Sequence, residues 1–140
     1  MIGKTINEIK VGDKAQFAKT ITETDVILFA GITGDMNPAH TNMVEAEKGM
    51  FKGRVVHGMF TASMVSTILG MYLPGPGTIF LGQETSFLKP VRINDTITAE
   101  IEAVEVNVEK NIVKFETVAC NQDGKKVLVG KATVMPPKAN

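Results

Sequence analysis

At 140 residues the chain has room for one domain, 1–140, and little beyond it. A hydrophobic content of 44% is enough for a core, and 21% charged residues is ordinary for a soluble protein. The 15 basic and 15 acidic residues cancel, which argues against a nucleic-acid partner, since neutralising phosphates takes a basic excess.

The N-terminus, Met1–Ile6, has no long apolar run, so no secretory signal is expected. Gly12-Asp13 marks a turn, and a strand is expected from Lys14 to Ile21. Thr22 has the character of a helix N-cap, with acidic Glu23 and Asp25 in the first turn, where they favour the dipole. Val26, Phe29, Ala30 and Thr33 recur at helical spacing. Gly34 should end this helix, and Asn37-Pro38 is read as a barrier to its renewal. Asp35–His40 is therefore expected to be a structured loop, followed by a short helix across Asn42–Gly49.

A long apolar element begins near His57-Gly58 and runs to about Tyr72. From Val55 to Gln83 there is no Asp, Glu, Lys or Arg. The run is nonetheless too polar and too short before Pro74-Gly75-Pro76-Gly77 to serve as a bilayer span of about 20 apolar residues. A helix buried in a soluble core, with no membrane partner, is the expectation. Strands are then expected over Thr78–Leu88, Thr96–Asn107, Asn111–Asn121 and Lys126–Met135. Gln122-Asp123-Gly124 supplies a hairpin turn between the last two. Cys120, the one cysteine, can form no intrachain disulfide and suits a reducing, cytoplasmic compartment. It reads as an inert packing residue.

Helices and strands are segregated along the chain, which argues for an α+β fold. One long apolar helix beside an antiparallel run of strands implies a sheet curled around that helix.

The chain has two histidines, His40 and His57. His40 lies five residues after Asp35, on a segment stiffened by Pro38. Such a pair can hold a water and move its protons. The same residues read equally well as a helix-capping carboxylate and a surface imidazole. Gly58 opens the apolar helix, where first-turn N–H groups lack internal partners and favour negative charge. A ligand carbonyl oxygen could be held there, although a glycine required only by tight packing is the commoner case. No cluster of Cys and His suggests a metal site, and no Gly-rich fingerprint follows a strand.

The run Phe29-Ala30-Gly31-Ile32-Thr33-Gly34-Asp35-Met36-Asn37-Pro38-Ala39-His40, with Ala46 beyond it, resembles the signature of the MaoC-like (R)-specific enoyl-CoA hydratases. Val55-Val56-His57-Gly58-Met59-Phe60-Thr61-Ala62-Ser63 resembles the start of their central helix. The segments Leu73–Gly77 and Leu81–Val91 resemble the turn and strand that follow. Ala39 departs from the pattern, which usually has a larger aliphatic residue before the histidine.

The resemblance implies a hot-dog fold, an antiparallel sheet wrapped around a long central helix. It also implies reversible hydration of trans-2-enoyl-CoA to (R)-3-hydroxyacyl-CoA. By the same likeness Asp35 and His40 activate water, the Gly58 N–H binds the thioester oxygen, and Asn37 and Ser66 support the site. No metal and no cofactor is implied, CoA being part of the substrate. Lys52, Arg54, Lys89 and Arg92 are the candidates for meeting the CoA phosphates. Met59, Phe60, Met64, Leu69, Met71 and Tyr72 either line a tail pocket or fill the core, and a short acyl chain is the expectation. A homodimer is implied. A hot-dog thioesterase and a non-catalytic acyl-CoA-binding module are the alternatives.

Overall fold

A computed structural model describes residues Met1–Asn140. After a 3-10 turn at Ile6–Glu8 come β1 (Lys14–Thr20), α1 (Glu23–Thr33), α2 (Pro38–Thr41), α3 (Met43–Lys48) and α4 (Gly58–Met71). The strands β2 (Ile79–Phe87), β3 (Thr96–Asn107), β4 (Ile112–Cys120) and β5 (Lys126–Met135) follow. The five strands form one antiparallel sheet, and α4 packs against it.

Period-two patterning makes the central strands. Ile97, Ala99, Ile101 and Ala103 of β3 are buried, and so are Val113, Phe115, Thr117 and Ala119 of β4. The residues between them face outward. The sheet order is β1-β3-β4-β5-β2, with every neighbouring pair antiparallel. The strand β2 therefore lies beside β5 at the far edge rather than beside β3. Gly130 permits that pairing, because a Cβ there would collide with the Glu84 carbonyl of β2.

The α4 helix lies across this sheet, touching β1, β2, β3 and β5. Thr61, Ala62, Met64, Val65, Ile68 and Leu69 form its buried face. Each large aliphatic side chain removed from water contributes about 1.5–3 kcal/mol. With Ile97, Ile101, Phe115 and Leu128 they make one continuous core. Met59, Ser63, Ser66 and Met71 form an exposed stripe along α4. No helix is long and apolar enough to cross a membrane.

The α1 helix begins on a complete capping box. The Thr22 hydroxyl accepts the Asp25 N–H at 3.1 Å, and the Asp25 carboxylate accepts the Thr22 N–H at 2.9 Å. Gly34 ends the helix in the left-handed region at φ 83°. The next segment corrects the expected loop. Pro38 starts α2 instead of blocking it, because proline at the first helical position lacks an N–H that would go unpaired anyway.

Candidate active site

Three short devices fix the segment around Asp35. Gly34 turns the chain away from α1. The Asp35 Oδ1 accepts the Asn37 N–H at 3.2 Å, and Asn37 Oδ1 accepts the Ala39 N–H at 3.0 Å. Asn37 thus caps α2 through its side chain while its backbone N–H donates to the Asp35 carboxylate. Asp35 itself is exposed.

His40 sits in α2 and is half-buried. Its Nδ1 lies 2.7 Å from the Val55 carbonyl oxygen. A carbonyl only accepts, so Nδ1 carries the hydrogen, and Nε2 keeps its lone pair in the neutral ring. The backbone closes the same contact a second time, since Val55 N–H donates to the Ala39 carbonyl at 3.0 Å. Arg54 closes it a third time: Nε donates to the His40 carbonyl at 2.6 Å, and Nη1 donates to both Glu23 carboxylate oxygens at 2.8 and 2.9 Å.

His57 is the residue that the sequence left unassigned. It is buried, its ring stacks on His40 with centroids 3.9 Å apart, and its Nε2 donates to the Asp35 carbonyl at 3.0 Å. Phe29 packs against it at 4.9 Å. A carboxylate oxygen of Asp35 and ring nitrogens of His40 and His57 lie within 4.8 Å of one another. That spacing alone would admit a cation. In this structure His40 Nδ1 is already hydrogen-bonded to the Val55 carbonyl and His57 Nε2 to the Asp35 carbonyl.

His40 and Gly58 line one cleft, together with Thr61, Phe87, Lys89 and Val127. The Gly58 N–H, the first of α4, makes no hydrogen bond within the chain. A Cβ at Gly58 would stand 3.0 Å from the Phe87 ring, so the glycine is also a packing requirement. The arrangement is a carboxylate and an imidazole within one water's reach, beside a helix N-terminus open to an oxygen.

A model of the MaoC like domain matches residues 6–123. The chain belongs to the MaoC-like family. An (R)-specific enoyl-CoA hydratase of Rhodospirillum rubrum is 48% identical over 130 residues, covering 93% of this chain and 90% of that protein. The R-hydratase PhaJ1 from Pseudomonas aeruginosa superposes with a TM-score of 0.91 at 39% identity, covering 98% of this chain and 88% of that one. The (R)-hydratase from A. caviae involved in PHA biosynthesis gives 0.88 at 38% identity, covering 92% and 98%. The hot-dog fold is therefore established for this MaoC-like chain.

The remaining expected site residues are placed unevenly. Ser66 lies on the exposed stripe of α4 and does not line the cleft, because it is turned away from Thr61 on the helix. Arg54 donates from Nε to the His40 carbonyl and from Nη1 to Glu23, and its Nη2 is buried without a partner. The Arg92 guanidinium likewise donates to the Phe51 and Arg54 carbonyls. Lys89 lines the cleft and is exposed, and Lys52 is exposed in the neighbouring loop. Met64 and Leu69 are core, Met59, Met71 and Tyr72 are exposed, and none of them lines the cleft.

Proposed function

We propose that this protein is an (R)-specific enoyl-CoA hydratase, adding water reversibly to trans-2-enoyl-CoA to give (R)-3-hydroxyacyl-CoA. The observation that carries the reading is the separation of Asp35 from His40, within 4.8 Å and beside the free Gly58 N–H. Two hydrogen bonds of about 2.8 Å through one water span such a gap. The names of the Rhodospirillum rubrum and A. caviae relatives support the same reaction.

The water donates one O–H to the Asp35 carboxylate and the other to His40 Nε2. Its oxygen bonds to C3 of the enoyl group, and the C2–C3 π pair moves toward the thioester oxygen as an enolate. The Gly58 N–H and the α4 dipole hold that oxygen. The proton that leaves the water passes to His40 Nε2. The imidazolium so formed is held in place by its Nδ1–H bond to the Val55 carbonyl. It returns the proton to C2 on the same face. No cofactor takes part in this sequence of steps, and no metal is needed.

A short acyl chain is favoured because the long apolar side chains of α4 are packed or outside the cleft. Lys89, with Lys52, is the group we assign to the CoA phosphates. The exposed apolar side chains Met59, Met71 and Tyr72, with Ile79 and Leu81 on the edge strand β2, favour a homodimer that covers Ser66 as well. The single Cys120 suits a reducing cytoplasm.

Incubation with crotonyl-CoA should consume the enoyl absorbance and yield (R)-3-hydroxybutyryl-CoA by chiral analysis. Release of free thiol instead would favour a thioesterase, and binding without turnover a non-catalytic module.

A further inference from the structure

The hydroxyl of Thr61 is a feature of the cleft that the reaction above leaves unused. Thr61 lines the cleft and is 1% exposed, and its Oγ1 has no hydrogen-bond partner. Buried hydroxyls without partners are uncommon. Other hydroxyls on these helices behave differently. Thr33 donates to the Phe29 carbonyl at 2.7 Å, Ser63 to the Met59 carbonyl at 2.7 Å, and Thr67 to the Ser63 carbonyl at 3.4 Å. Each satisfies itself on the carbonyl four residues back. Thr61 has the same option at His57 and does not use it; that carbonyl takes the Phe60 N–H at 3.0 Å.

Position on the helix says where the hydroxyl is useful. Thr61 follows Gly58 by three residues, so both lie on one face of α4. Helical side chains lean toward the N-terminus and cover the preceding turn. The turn under Thr61 is the one that begins at Gly58, where no Cβ intervenes.

Resting on the hydratase reading, we propose that the Thr61 hydroxyl is a second donor to the substrate's thioester oxygen, acting beside the Gly58 N–H. It tightens on that oxygen as the enolate charge develops, and neither forms nor breaks a covalent bond.

The test is kinetics and thermal unfolding of Thr61→Val and Thr61→Ser with crotonyl-CoA. Valine keeps the shape and removes the donor. Loss of one such donor should lower kcat by about 10²-fold, at the lower end for an oxyanion site, with KM nearly unchanged. The Tm of ligand-free Thr61→Val should not fall, because an unsatisfied buried hydroxyl has been removed. Thr61→Ser should restore most of kcat. Full activity in Thr61→Val, or a lowered Tm that tracks lost activity in both variants, would overturn the assignment and leave a structural hydroxyl. Asp35→Asn is the control: if it is inactive while Thr61→Val is not, this inference alone fails. If wild-type protein does not hydrate crotonyl-CoA, the hydratase reading fails, and the role of Thr61 falls with it.

Discussion

The His57 ring lies flat on His40, centroids 3.9 Å apart and planes 26° from parallel, while its Nε2–H holds the carbonyl of Asp35. One buried side chain thus touches both members of the proposed acid–base pair, one through its face and the other through the backbone. Asp35 and His40 are set by a residue of α4's N-cap, so the pair and the Gly58 N–H share one rigid reference.

His57→Phe should keep the stack and lose the bond to Asp35. A displacement of about 1 Å in a catalytic group costs up to about 10² in rate, so kcat should fall by 10–100-fold, roughly, with the fold intact. Steady-state hydration and a circular-dichroism spectrum check this. Unchanged kcat would show that the Asp35 carbonyl needs no anchor.

Arg54→Met should destabilise the protein rather than weaken CoA binding. Its bond to the His40 carbonyl is charge-assisted, and its side chain is 11% exposed, so the loss should be about 1.5–3 kcal/mol in denaturant unfolding. Glu23 is 55% exposed, and its share of that ion pair should be small. KM for crotonyl-CoA should stay near the wild-type value. A large rise in KM at unchanged stability would return Arg54 to the phosphate site.

Stability at acid pH should report the α1 capping box. Burial alone would raise the Asp25 carboxyl, but the Thr22 N–H, the Lys19 ammonium and the Thr22 hydroxyl outweigh it and hold it below its ordinary 3.8. A depressed folded value means that the charged form stabilises the fold. That contribution is complete above the unfolded value and is lost as pH falls through the folded one. Asp25→Asn should therefore melt lower than wild type at neutral pH, and the difference should close in strong acid. A pH-independent difference would mean that the carboxylate charge does not contribute.

Charge reversal at Lys89 together with Lys52 should raise KM for CoA substrates while kcat holds. An unchanged KM would place the phosphates elsewhere.

Much of the fold was legible because its pattern is local. Strands β3 and β5 fall where alternation and flanking turns put them, and Thr22 and Gly34 bound α1 as their chemistry requires. Pro38 was misread because proline both stops and starts helices, and the Asn37 cap that decides the matter is a three-dimensional contact. The place of β2 beside β5 is a long-range pairing with no local mark. The pairing of Arg54 with Glu23, 31 residues away, has no local mark in the sequence. His57 was visible beside Gly58, but its partner is a backbone carbonyl, which no residue type announces.

The most direct measurement is crotonyl-CoA hydration by Asp35→Asn, His40→Gln and the double variant. If both groups hold one water, each single change should lower kcat by about 10²–10⁴, and the double should fall little further than the worse single. Near-wild-type turnover in either single variant would contradict the account.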